Sequence, residues 1–163
     1  VTWIGNHLLS LIVFFPLIGV IVLLYVDRER VSFIKWFAFA VSLVVVGLSI
    51  WLWAGYAAAG CPTMEFVDGK WSVPFQEKAG WIPALGVSYH LGADGLSIPL
   101  VFLTALLTAV SILYSFYIKE RPKEYFILFL LLQVGMTGVF VALDYFLFYV
   151  FWEVSLVPMY FLI

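Results

Sequence analysis

Charge is what this sequence has least of. Charged residues make up 11% of its 163 positions against 65% hydrophobic ones, and the mean hydropathy is +1.11. Soluble domains average about 25% charged and 45–50% apolar residues, so this composition excludes a water-soluble enzyme and specifies a polytopic membrane protein. There is no basic surface either. With a net charge of −2 and a pI near 5.6, and with the few charges lying between apolar runs, nucleic acid is excluded as a partner. Cysteine is nearly missing: Cys61 stands alone, cannot form an internal disulfide and has no neighbours at zinc spacing, so no metal site is read. The chain also lacks glycine-rich phosphate loops and cysteine clusters, which argues against binding of a dinucleotide, a flavin or an iron–sulfur cluster. It opens on Val1 with no basic stretch before an apolar one, so no signal peptide is recognised. It stops at Phe161-Leu162-Ile163, inside an apolar run with no cap or basic anchor, and the expectation is a piece of a longer polypeptide.

What is present in quantity is long apolar sequence. Five runs reach the roughly 20 residues that cross a bilayer: 8–26, 33–59, 96–118, 125–143 and 144–163. The fold class read from them is all-α, a polytopic transmembrane helix bundle, over the whole of 1–163. The last two runs meet at Asp144, which makes them antiparallel neighbours and gives Asp144 the role of a cap on the fifth helix's free N–H groups. Basic residues fall in the first connection (Arg28, Arg30, Lys35) and the third (Lys119, Arg121, Lys123), and are missing from the Asp144 turn. The positive-inside rule then puts the first and third connections in the cytoplasm and the N-terminus outside.

Residues 60–89 form the one sizeable extramembrane segment, interrupted by Pro62, Pro74, Pro83, Gly69, Gly80 and Gly86. Its stretch from Glu65 to Val73 centres Asp68-Gly69 between β-favouring residues, a small hairpin signal with an irregular loop as the equal alternative. Asp94 suits the N-cap of the third helix, with Ser97 at its third position. His90 just before it titrates near neutral pH, and a structural role outweighs proton access for it. Gly135, Gly138 and Ala142 make a flat packing stripe on the fourth helix, whose one strongly polar side chain, Gln133, either donates to a neighbour or lines water.

Glu153 is the one charge in the interior of these runs. It lies about nine residues into the fifth, near the middle of a hydrocarbon core roughly 30 Å thick. A charge there costs roughly 2.5–3.5 kcal/mol on insertion scales and calls for a partner, a water-filled cavity or a bound proton. Pro158 leaves the Val154 carbonyl without its helical donor, beside Glu153, which suits an ordered water. A nearby lysine favours the carboxylate and its withdrawal favours the neutral acid, so a partner that moves turns Glu153 into a proton switch. No such cation lies in the interior of the five runs. Read as structure alone, Glu153 is a protonated, hydrogen-bonded acid that pins helices together.

The sequence from Ala142 to Phe148 and then Phe151-Trp152-Glu153-Val154-Ser155-Leu156-Val157-Pro158-Met159-Tyr160-Phe161-Leu162-Ile163 resembles the fifth helix of the M-type (chain 4) antiporter-like subunit of respiratory complex I, the NADH:quinone oxidoreductase. Tyr89 to Leu100 is similar to the opening of that subunit's third helix. The resemblance implies about fourteen transmembrane helices in the whole protein, five of them here, with helices four to eight and nine to thirteen as inverted repeats. It implies a proton-translocating role in which quinone reduction elsewhere drives pumping through buried charges, with Glu153 paired to a lysine on helix seven. It also implies no cofactor in this chain, NADH, FMN, iron–sulfur clusters and quinone being held by other subunits. The partners implied are L-type and N-type antiporter-like neighbours, lipid and protons, in a bacterial plasma membrane or an equivalent energy-transducing one. The alternatives are a subunit of a multisubunit cation/proton antiporter or membrane-bound hydrogenase, and a membrane scaffold with a structural glutamate.

Overall fold

The computed structural model describes residues 7–62, 65–67, 70–73, 75–82 and 86–163. Its helices are α1 (Leu8–Tyr25), α2 (Val31–Ala58), α3 (Ser97–Tyr114), α4 (Pro122–Val141) and α5 (Tyr145–Leu162), each long and apolar enough to cross a membrane. A 3-10 turn, Ser115–Tyr117, prolongs α3. These bounds fall within a few residues of the five runs. The spans are apolar all round, and large side chains such as Ile18, Ile21, Trp36 and Leu107 remain more than half exposed on the outside of the bundle. In water that surface would be prohibitive; in hydrocarbon it is the correct one. The chain is therefore an integral, multi-pass membrane protein.

The segment between α2 and α3 is more ordered than a loop. It carries two antiparallel hairpins, β1 (Glu65–Val67) with β2 (Lys70–Ser72), and β3 (Phe75–Ile82) with β4 (Val87–Ala93). The first matches the hairpin signal, with Phe66 opposite Trp71; its expected Asp68-Gly69 turn lies outside the described residues, as do Pro74 and Pro83. The second corrects the expectation of a segment ending at Tyr89. Phe75 pairs with Ala93 and Lys78 with His90, with an irregularity between Gly80 and Ile82. The adjacent charges Glu77 and Lys78 on β3 hid it, and only β4 buries its last residues, Leu91, Gly92 and Ala93.

Two ends of the bundle are stitched by different chemistry. At the hairpin end, Glu77 of β3 reaches the first turn of α1, accepting from the Leu9 N–H at 2.7 Å and from the Ser10 N–H and hydroxyl. The Ser10 hydroxyl also lies 2.6 Å from the Tyr89 hydroxyl. A carboxylate thus satisfies free N–H groups at a helix start from 67 residues away, an effect of roughly 0.5–2 kcal/mol for a cap. Trp81 packs edge-on against Phe146 of α5, and Leu91 forms a bridge with Ala142, which places Ala142 past the end of α4 rather than in its packing stripe. At the opposite end, lysines close helix C-termini. Lys123 donates to the Leu24 and Val26 carbonyls at 2.9 and 2.8 Å, and Lys35 to the Phe116 carbonyl at 2.6 Å. Arg28 and Glu124 form an ion pair at 3.2 Å. Cations belong there, where unpaired carbonyls and the helix dipole are negative.

The core divides along the helix axes into a cluster toward the hairpin end, here termed outer, and one toward the lysine end, termed inner. An outer cluster gathers Leu9, Ile12 and Val13 of α1 with Val45, Leu52, Val101, Ala105, Val134 and Phe151. An inner one gathers Leu23, Ile34, Ala38, Val41, Ile112, Phe126 and Leu130.

Candidate functional site

Helix α5 begins at Asp144, whose carboxylate accepts from the Phe146 N–H at 2.9 Å and the Leu147 N–H at 3.4 Å, so the cap read from sequence is present. Asp144 also accepts from the Ser88 N–H at 3.0 Å and the Ser88 hydroxyl at 3.2 Å, joining α5 to β4. The Ser88 N–H foremost holds the Asp144 carboxyl below its usual range; burial, next in size, opposes it, and the Phe146 and Leu147 N–H groups and the Ser88 hydroxyl add to the lowering.

From that anchor α5 descends along α4. The approach is close because of two glycines: a Cβ on Gly135 would stand 2.8 Å from the Ser155 backbone N, and one on Gly138 would overlap the Phe151 ring. The packing stripe read from Gly135 and Gly138 is therefore the seam for α5. Leu147, Phe151 and Pro158 are buried on this side. At about 100° per residue, Glu153 falls on the other side of the helix. There it is exposed, with Tyr149, Leu156 and Tyr160, 58%, 37% and 77% exposed, on the same face. Tyr149, one turn earlier, is the polar side chain nearest to it along this face. No ion pair reaches Glu153 among the described residues. Helix α5 is the least enclosed span, with 17% of its residues buried against 33–44% in the other four.

Eight residues from the start of α5, the Glu153 carboxylate stands about 12 Å along the helix. Toward the other end of α5, a cavity of about 780 Å³ is lined by Leu24, Arg121, Tyr125 and Leu128 on one side and Phe161 and Leu162 on the other.

The remaining sequence candidates lie elsewhere. The His90 ring is 3.3 Å from the Gln76 side-chain oxygen, and burial, then the Lys78 charge across the ladder, push its pKa below the ordinary histidine value while Asp144 opposes them. Asp94 caps α3 through the Ser97 N–H at 2.7 Å and the Leu96 N–H at 3.2 Å; burial works to raise its carboxyl, and these donors overcome it and hold it low. Tyr89 is raised, by burial first and by the Glu77 charge, against its bond to Ser10. Gln133 is fully buried within the bundle, far round α4 from Glu153. Among the described residues no cluster of three His, Cys, Asp or Glu side chains is placed to hold a metal. The Glu77 clasp was missed from sequence; the one signal for it was a lone acid in a strand otherwise facing water.

No protein-family model matches the sequence. Similarity to characterised proteins is nonetheless extensive. The chain is 40% identical over 97% of its length to NADH-quinone oxidoreductase subunit M of Rhodobacter capsulatus, covering 29% of that protein. It is 34% identical over 94% of its length to F(420)H(2) dehydrogenase subunit M of Methanosarcina mazei, again covering 29%. The chain thus spans less than a third of the relatives it matches. Its fold is also that of a chain in the membrane-bound sulfane sulfur reductase, an archaeal respiratory membrane complex, with a TM-score of 0.70 over 94% of this chain and 29% of that one at 23% identity.

Proposed function

Since this chain is homologous, at 32–40% identity over most of its length, to the complex I antiporter-like subunits known as subunit M or chain 4, we propose that it works as part of a proton-translocating membrane subunit of an NADH:quinone oxidoreductase. Electron transfer to quinone occurs in other subunits, which hold the NADH, FMN, iron–sulfur and quinone sites; this chain contributes a protonatable group inside the membrane. The observation that carries the reading is Glu153 at mid-span on the unpacked face of α5, beside Tyr149. A lysine supplied by a helix outside these residues, or by an L-type or N-type neighbour, pairs with the carboxylate in one state of the cycle. When that cation withdraws, Glu153 takes a proton from water on one side; when it returns, the proton leaves to the other. Movement of a buried cation is thereby converted into movement of a proton.

The test is Glu153→Gln in the full-length subunit, with proton pumping and NADH:quinone activity measured in membranes and assembly checked by native gel. Loss of both in a fully assembled complex is expected. Near-normal pumping would make Glu153 a packing residue.

A second reading keeps the translocating role and changes the electron source. It is favoured by the F(420)H(2) dehydrogenase relative and by the fold shared with an archaeal respiratory complex. Activity of the isolated complex with different reduced donors separates the two, since Glu153→Gln should abolish pumping in either.

A further inference from the structure

The polar side chains buried among the described residues are uncharged, and three of them sit where the core divides. Ser42 lies between Val41 of the inner cluster and Val45 of the outer; Thr108 between outer Ala105 and inner Ile112; Gln133 between inner Leu130 and outer Val134. Helices α2, α3 and α4, which carry them, pack on one another. Both α2 and α4 start at the end stitched by lysines, and Ser42 and Gln133 each lie eleven residues in, about 16 Å along. Thr108 lies nine residues before Tyr117, about 14 Å from the same end. Three neighbouring helices thus bring polar groups to one depth near the middle of the membrane.

The hydroxyls of Ser42, Thr104 and Thr108 donate back to carbonyls of their own helices, at 2.8 Å each. Those donors are spent, and their oxygens retain acceptor capacity. Gln133 and Thr137 are different. Each is 1% exposed, one turn apart on α4, and Gln133 Nε2, Gln133 Oε1 and Thr137 Oγ1 have no hydrogen-bond partner among the described residues. A buried carboxamide with neither half satisfied is costly anywhere and more so in hydrocarbon. The Gly135 and Gly138 seam lies on roughly the opposite side of α4, so no side chain of α5 is placed to meet it.

We propose that Gln133 and Thr137 form an internal water site, holding at least one ordered water molecule inside the bundle on the side of α4 away from Glu153. Water fits this chemistry because it both accepts and donates: it takes a hydrogen bond from the Gln133 amide N–H and gives one to Oε1 or to the Thr137 hydroxyl. A cation would be served by the two oxygens but opposed by the amide N–H donors. At 1% exposure the site is closed, and it admits water by rotation of the glutamine about its side-chain torsions. This inference stands apart from the role of Glu153.

The deciding experiment is a cryo-EM map of the full-length subunit in its assembled complex, at a resolution that shows ordered water elsewhere in the membrane region. Density within hydrogen-bonding distance of the Gln133 amide, absent from the same map of Gln133→Leu and weakened in Thr137→Val, is the expected result. A wild-type map with ordered waters at other membrane positions and none at Gln133 overturns the proposal, as does a Gln133 amide bonded directly to protein groups. If Gln133→Leu does not assemble, the wild-type and Thr137→Val maps decide the question alone.

Discussion

The two ends of α5's first half hold the same functional group in opposite circumstances. Asp144 sits at the membrane boundary with four hydrogen bonds from three residues; Glu153, nine positions on, faces out of the bundle beside Tyr149. Glu77 on β3 resembles Asp144, meeting the open turn of a helix with its charge satisfied by N–H groups. A carboxylate surrounded by backbone donors is committed to its charge and becomes architecture. One that lacks them is the group to which the proposed translocating role falls.

Substitutions along this contrast separate the two kinds of acid. The largest effect is expected from Glu153→Gln, where pumping in the full-length complex falls about 100-fold or more, the scale of losing a positioned proton-transfer group, with assembly unchanged on native gels. Asp144→Ala should do the reverse. It removes a cap and the Ser88 link, costing about 1–2 kcal/mol, so the assembled fraction drops while pumping per assembled complex is kept. Equal loss of specific pumping in both variants would break the comparison. Glu77→Gln keeps one acceptor for α1 and loses the charge at its positive end, an expected cost of about 0.3–1 kcal/mol, read as a small fall in unfolding temperature of the detergent-solubilised complex.

Acidity gives the smallest and most graded test. Asp94 and Asp144 have folded pKa values below their unfolded ones, so their contribution to stability is complete above the usual carboxylate range and is lost as pH falls through the depressed values. His90, also depressed, is neutral when folded, and the unfolded chain takes up its proton first as pH drops below about 6.5, which subtracts stability there. Thermal melts should therefore weaken from mildly acidic pH downward, and Asp144→Asn should flatten the lower part of that slope. An unchanged slope would mean that Asp144 gains nothing from its charge.

The spans and the caps at Asp94 and Asp144 were legible in the sequence, because hydrocarbon forces a local signature: a long apolar run closed by a residue that serves the next helix start. The hairpin of β3 and β4 was not, since Glu77, Lys78 and Gly80 break the alternation that marks a strand, and its pairing is fixed by helix ends beneath it. The Glu77 clasp spans 67 residues, a separation at which sequence offers no spacing rule. The depth of Glu153 was read from counting; which side of α5 it faces needed the glycine seam, since an all-apolar helix has no polar stripe to orient it. Gln133 was visible as a polar residue, whereas its lack of a partner is a property of the helices packed around it.

The glycine seam also has a mechanical consequence. Helix α5 is gripped from Asp144 through the contacts of Phe151 and Ser155 with Gly138 and Gly135. Backbones seated this closely leave no side chain between them to absorb a displacement, so α4 and this stretch of α5 move as one body. Any sideways shift of α4 is therefore delivered undamped to the turn that carries Glu153.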